Sequence, residues 1–349
     1  MRIMYKVAVV NSRSFGVSAP DLLEKLRQHA QVDFIDVDKK ARGKDLAEKL
    51  SGYHFIVASV TPLYDADFMR LQKDLLLIAR HGIGVDNVDV KAATEEGVLV
   101  TRVPGFKERD AVAELAVALA LDAVRRVTYS SQLVRAGRWS ERGRIVGFNI
   151  AGKTVGLVGL GNIGSRVAEI FSKGFGARVL AYDPYVKPED AAKFGARLTD
   201  LDTLLRESDI ISLHAPLTPE TYHMIDERAF EKMKEGVIIV NTARGELIDT
   251  AALVRALESG KVAGAGLDVV EGEPIGADHP LLRFNNVVIT PHIGANTREG
   301  LRGMDESNVD AILKVIRGEP PTEYLVNPEV LKRGTRAKLR APGTEASLR

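Results

Sequence analysis

The sequence predicts an α/β protein built on two doubly wound parallel sheets. Three observations predict it. Short apolar runs alternate with helical patterns through the first hundred residues. The alternation pauses, then resumes from Lys153. A glycine-rich hexapeptide, residues 159–164, joins an apolar run to a helical pattern in that second half. Strands separated by helices argue for parallel sheets covered on both faces. The length of 349 residues, against roughly 150 per domain, argues for two domains.

In the first half, Lys6–Ser12 reads as a buried strand. Pro20–Ala30 follows as a helix with Leu22, Leu23 and Leu26 on one side. Strand patterns at Val32–Val37, Tyr53–Ser59, Leu75–Ala79 and Val98–Arg102 continue the series, with helices at Lys44–Leu50 and Val90–Glu96. Arg109–Arg126, rich in Ala, Val and Leu, reads as a long buried helix. Ser131–Asn149 is less regular, and reads either as a segment that wraps a neighbouring subunit or as a surface loop with a helical start. Six strands are predicted beyond it: Thr154–Gly159, Arg178–Asp183, Ile210–His214, Val237–Thr242, Val262–Val269 and Asn286–His292. Helices such as Ala251–Ser259 lie between most of them, as a nucleotide-binding sheet requires. Arg298–Ile316 is a last long helix, stopped by Gly318, Pro320 and Pro321. Residues 331–349 are basic and poor in apolar side chains, and are expected to form a flexible tail.

Composition narrows the chemistry. Lys and Arg number 48 and Asp and Glu 47, so charge gives no general reason to expect nucleic acid or an anionic membrane as partner. With no cysteine, disulfides, thiolate metal sites and cysteine nucleophiles are excluded; no metal is expected. No apolar run reaches the ~18 residues of a membrane span, and the N-terminus lacks a secretory pattern. A cytoplasmic location is expected.

Gly159-Leu160-Gly161-Asn162-Ile163-Gly164 matches G-x-G-x-x-G, and its setting between a strand and a helix gives the match its weight. Gly159 allows the tight turn, Gly161 lets a pyrophosphate approach the backbone, and Gly164 lets the helix pack on the strand. The amides near Asn162 and Ile163 face the phosphates. Asp183 ends the next strand, 19 residues after Gly164. It suits ribose hydroxyls and would repel a 2′-phosphate, which favours NAD over NADP. His214, Ala215 and Pro216 read as a wall of the adenine site, or as a strand exit set by Pro216.

Three further segments stand at predicted strand ends, where ligands bind in open α/β sheets. Asn241–Glu246 carries Arg244, Leu267–Pro274 carries Glu273, and Thr290–Gly294 carries His292. Reducing a 2-oxo acid needs a hydride, a proton and a fixed carboxylate. Arg244 can grip the carboxylate with its planar fork. His292 can give or take the proton. Glu273 would fix the orientation of His292.

At these residues the chain resembles the NAD-dependent D-isomer-specific 2-hydroxyacid dehydrogenases, and most of all their D-3-phosphoglycerate dehydrogenase members. The motifs are RHGIGVDNVD (80–89), GLGNIG (159–164), YDP (182–184), HAPLT (214–218), NTARGELID (241–249), GLDVVEGEP (266–274) and TPHIGA (290–295). The resemblance implies Arg244, Glu273 and His292 as catalytic residues. It implies cofactor contacts from the glycine turn, Asp183, His214–Pro216, Thr242, Ala243, Arg244, Asp268, His292, Gly294 and Ala295. It places Ile83 and Gly84, with Arg244 and His292, against the substrate. It implies a flavodoxin-like substrate domain from residues 1–107 and 296–330, a Rossmann NAD-binding domain from 108–295, an active-site cleft between them, a homodimer and a place in serine biosynthesis. Two residues depart from the phosphoglycerate pattern: Ala58 stands where an Arg is usual, and His81 where a small residue is common. A glyoxylate or hydroxypyruvate reductase, or an NAD(H)-sensing regulator, are the alternatives.

Overall fold

The structure, a computed structural model, describes residues 4–339. The described residues divide into two compact units, one of residues 4–108 with 295–339, the other of residues 109–294.

The first unit holds five parallel strands: β1 (Tyr5–Val10), β2 (Ala30–Ile35), β3 (Phe55–Ala58), β4 (Leu77–Arg80) and β5 (Leu99–Thr101). Their order is β2-β1-β3-β4-β5. The chain thus switches direction of winding between β1 and β3. β3 and β4 are buried along their whole length, which is why β3 and the first three residues of β4 read as apolar runs. One face packs on Leu46, Tyr64, Phe68 and Ala93. The other packs on Leu26, Val309 and Ile312. Val309 and Ile312 belong to the helix Arg298–Ile316, whose N-cap Thr297 accepts a hydrogen bond from the Gly300 amide. The C-terminal segment therefore completes the first unit.

Residues 331–339, expected in a flexible tail, are packed instead. Val330–Arg333 forms a short helix. Arg336 pairs with Glu96 at 2.6 Å and donates to the Gln72 carbonyl, while Ala337 is buried in the core. A local carboxylate and a small apolar anchor outweigh the basic composition. Residues 340–349, the rest of that expectation, lie outside the described residues.

The second unit holds seven parallel strands: β6 (Thr154–Val158), β7 (Arg178–Tyr182), β8 (Ala196–Leu198), β9 (Ile210–Leu213), β10 (Val237–Asn241), β11 (Val262–Leu267) and β12 (Val287–Ile289). Their order is β12-β11-β10-β9-β6-β7-β8. Six were predicted. The seventh, β8, is a three-residue edge strand with an exposed Arg197 at its centre, too short to show a period. The helix Arg109–Arg125 lies on β10 and β11 through its alanines. A Cβ at Gly266 would come within 2.8 Å of Leu119, and one at Gly264 within 3.1 Å of the Ala123 carbonyl, so bare backbone on β11 allows this approach. Ser131–Asn149 resolves into the end of a helix, Val127–Arg135, and a 3₁₀ turn, Trp139–Arg144. Among the described residues no helix is long and apolar enough to cross a membrane.

Candidate active site

The glycine turn leaves β6 at the point where the strand order reverses, between β7 and β9. A ligand crevice belongs there. Gly159 has φ +95°, and a Cβ on it would strike the His214 carbonyl carbon and the Ala215 amide, both at 2.7 Å. The same close approach puts His214 and Ala215 beside the turn. Gly164 would drive a Cβ to 2.2 Å from the Gly159 carbonyl oxygen. Gly161 meets nothing: its Cβ would stand in open space. It caps the helix Asn162–Glu169, and no side chain caps the amides of that first turn. Two glycines therefore build the turn, while the third leaves its mouth open in front of the helix amides. These residues fit a bound pyrophosphate.

Asp183 follows β7. Its carboxylate accepts from the Leu160 amide and the Tyr185 amide, both at 2.9 Å. It is thereby aimed back at the glycine turn, with lone pairs left for ribose hydroxyls. The His214 imidazole lies 2.9 Å from Ser212 Oγ through Nε2, and burial pushes it down to about 4. A neutral ring suits a wall.

The three segments expected to carry chemistry follow β10, β11 and β12, which are neighbours in the sheet. His292 and Glu273 are brought together: Nδ1 lies 2.7 Å from Oε1, and each side chain is 29% exposed. That pairing occupies Nδ1, so a further partner of the ring would meet Nε2. His292 has φ +54°, a left-handed conformation that a non-glycine residue holds only where its surroundings impose it. Asp268 imposes it. Its carbonyl accepts from the His292 amide at 2.9 Å. Its carboxylate, 1% exposed, accepts from Thr290 Oγ1 at 2.6 Å, from the Ile293 amide at 2.9 Å and from the Gly294 amide at 2.8 Å. Burial raises the Asp268 pKa, against those hydrogen bonds. The residue implied as a cofactor contact is thus also the fastener of the His292 loop.

Arg244 stands at the start of the turn after β10, half-buried, and donates to the Ala243 carbonyl at 2.6 Å. Asn241, wholly buried, braces that turn from below: its Nδ2 donates to the Arg244 carbonyl at 2.8 Å and its Oδ1 accepts from the Ala243 amide at 3.0 Å. Thr242 Oγ1 is buried with no hydrogen-bond partner among the described residues, an orphan that a polar ligand group would satisfy.

Several bracing residues were not foreseen. Asn241 stood in the NTARGELID motif without a role, although an Asn at a strand end is a turn-former. A second His–Glu pair, His223 and Glu271, lies in the same unit. In the first unit, His81 sits between Ser12 Oγ at 2.9 Å and Asp305 Oδ1 at 3.0 Å. The imidazole that departs from the phosphoglycerate pattern is spent on a buried network. Ala58, the other departure, is fully buried within the core cluster beside Ile56 and Val10.

Comparison with known proteins identifies the family. Residues 117–294 match the model of the D-isomer specific 2-hydroxyacid dehydrogenase NAD binding domain. The chain is 42% identical to a D-3-phosphoglycerate dehydrogenase of Archaeoglobus fulgidus over 85% of its own length and 56% of that protein's, so it spans little more than half of that relative. It is 43% identical to a glyoxylate reductase of Thermococcus litoralis, over 82% of this chain and 87% of that one. Among solved structures it resembles a D-lactate dehydrogenase from Aquifex aeolicus complexed with NAD and lactic acid, with TM-score 0.79, 33% identity, and coverage of 92% and 98%. The chain belongs to the D-isomer-specific 2-hydroxyacid dehydrogenases. It is an oxidoreductase of that family, and NAD is its cofactor.

Proposed function

We propose that the protein interconverts a small D-2-hydroxy acid and its 2-oxo acid, with His292 as acid and base, Glu273 as its orienting partner and Arg244 as the grip on the substrate carboxylate. The observation that carries the reading is the 2.7 Å His292–Glu273 pair at the carboxyl end of a sheet whose switch point holds the glycine turn. NAD, when bound, supplies the carrier of the hydride. In the reducing direction His292 gives a proton from Nε2 to the substrate oxygen; in the oxidising direction it takes that proton back. Glu273 holds the ring through Nδ1, so that Nε2 keeps one orientation through both directions. Arg244 fixes the carboxylate and polarises the carbonyl beside it. In this proposal the second unit binds NAD. The first unit binds substrate, with the Ile83 and Gly84 amides as further carboxylate contacts.

Overall likeness, including the Archaeoglobus relative, supports 3-phosphoglycerate as the hydroxy acid, and with it a role in serine biosynthesis. Ala58 favours a second reading. Its methyl is packed in the core, so this position offers a substrate phosphate no cation. Glyoxylate or hydroxypyruvate then becomes the substrate, and the Thermococcus relative is named a glyoxylate reductase. The protein with NADH and a panel of glyoxylate, hydroxypyruvate, pyruvate and phosphohydroxypyruvate separates the two. Loss of NADH absorbance with the phosphorylated acid alone supports the first reading, and with the others alone the second. No loss with any of them refutes the proposal and leaves an NAD(H)-binding regulator. Arg244→Ala should lose most turnover, and unchanged kinetics would contradict its role. A cytoplasmic homodimer is part of the proposal. Exposed Val127, Val134, Trp139 and Val146, all in one segment of the NAD-binding unit, support the dimer.

A further inference from the structure

Glu271 and Glu273 lie two residues apart, and each has its own histidine. Glu273 holds His292. Glu271 Oε1 lies 2.6 Å from His223 Nε2, and this second pair touches neither glycine turn nor catalytic imidazole. What it touches is the turn behind Arg244. The His223 amide donates to the Glu246 carbonyl at 2.9 Å, and the Ile225 amide to the Leu247 carbonyl at 3.0 Å. Glu271 Oε2 accepts from the Thr250 amide at 3.3 Å, just past the same turn. Between them Gly245 lies flat on the peptide that joins Val270 to Glu271: a Cβ there would fall 2.0 Å from the Val270 carbonyl carbon and 2.3 Å from the Glu271 nitrogen. His223 is held at φ +50°, with the Tyr222 ring stacked on it at 4.0 Å. A non-glycine residue in that conformation is strained unless its contacts hold it.

We infer that His223 and Glu271 are positioning residues for the reaction. Their pair clamps the Gly245–Leu247 turn against the segment 270–273, and so ties the placement of the Arg244 guanidinium to the strand-end segment that orients His292. The 271–273 segment is a crosspiece, with one carboxylate serving the substrate grip and the other the acid–base group. This rests on the proposed role of Arg244 in gripping the substrate carboxylate. The pair joins His223 to a carboxylate and is only partly exposed, where losing one partner costs more than at the surface.

The test compares wild type with His223→Ala and His223→Gln, the latter able to donate to Glu271 through its amide. Three quantities are read: KM and kcat for the 2-oxo acid found active in the panel, the Kd for NADH, and amide hydrogen exchange across residues 244–250. His223→Ala should raise KM roughly 10-fold, as for loss of one hydrogen bond to a charged group. It should speed exchange in the turn and leave the NADH Kd unchanged. His223→Gln should recover most of the KM. Faster exchange with unchanged KM would overturn the inference, because the pair would then be structural alone. So would unchanged exchange and unchanged KM together, or an equal loss of NADH affinity. Failure of the underlying reading shows elsewhere: wild type is inactive on every acid, or Arg244→Ala leaves KM unchanged while His223→Ala still loosens the turn.

Discussion

Gly161 and Gly164 stand three residues apart in one motif, and the structure gives them opposite reasons to lack a side chain. Replacing Gly164 with Ala puts a methyl 2.2 Å from the Gly159 carbonyl oxygen, inside any van der Waals contact, so the helix must move off the strand. Overpacking of this kind costs ~1–3 kcal/mol, and each kcal/mol lowers Tm by about 2–4 °C in a domain of this size. Gly161→Ala meets no atom, and its φ of −72° is open to any residue. Stability should hold, or rise by ~0.4–1 kcal/mol as the unfolded chain stiffens. The methyl would instead stand where a pyrophosphate must reach the helix amides. Losing one such charge-assisted hydrogen bond, worth about 1.5–3 kcal/mol, weakens NADH binding roughly 10- to 100-fold. Thermal unfolding without cofactor and NADH titration by fluorescence read the two effects separately. The reasoning fails if Gly161→Ala binds NADH as wild type does, or if it loses stability as Gly164→Ala should.

Other substitutions probe other parts of the site. His214 takes up its proton only near pH 4 when folded but near 6.5 when unfolded. Between those values only the unfolded chain gains the charge, so acidification costs stability, by up to about 3 kcal/mol. Wild type should therefore lose more Tm than His214→Asn as pH falls through that window, and parallel curves would contradict the assignment. Asp183→Asn should lower the preference for NAD over NADP by roughly 10-fold, about 1.4 kcal/mol, read as a ratio of kcat/KM; an unchanged ratio would remove Asp183 from the ribose. Asn241→Ala strips two partners from the Arg244 turn and should cost ~1–3 kcal/mol and raise KM for the 2-oxo acid. A fall in Tm with unchanged KM would show that the turn keeps its shape without the brace.

What the sequence disclosed followed local rules, and what it hid did not. β3, apolar throughout, β4, apolar up to its closing Arg80, and the glycine turn after β6 were legible because each is spelled in a few consecutive residues. The Arg298–Ile316 helix was legible to the residue, since proline and glycine end it. β8 was missed because three residues carry no period. The helices Leu201–Glu207 and Glu227–Lys232 are short, though Asp200 and Asp226 cap them in the way that marks a helix start. The packed segment 331–339 was misread because the partner of Arg336 is Glu96, far away in sequence. The same holds within the site. Glu273 and His292 could be paired from their places at neighbouring strand ends. Ser12, His81 and Asp305 lie too far apart along the chain for any spacing rule to join them, and the same is true of His223 and Glu271.

Deuterium transfer tests the central claim most directly. NADH labelled at its transferable position, incubated with the protein and the 2-oxo acid active in the panel, should yield the 2-hydroxy acid carrying deuterium at C2, in the D configuration. The same experiment with His292→Ala should yield almost none. Label lost to solvent, an L product, or undiminished transfer by His292→Ala would contradict the account.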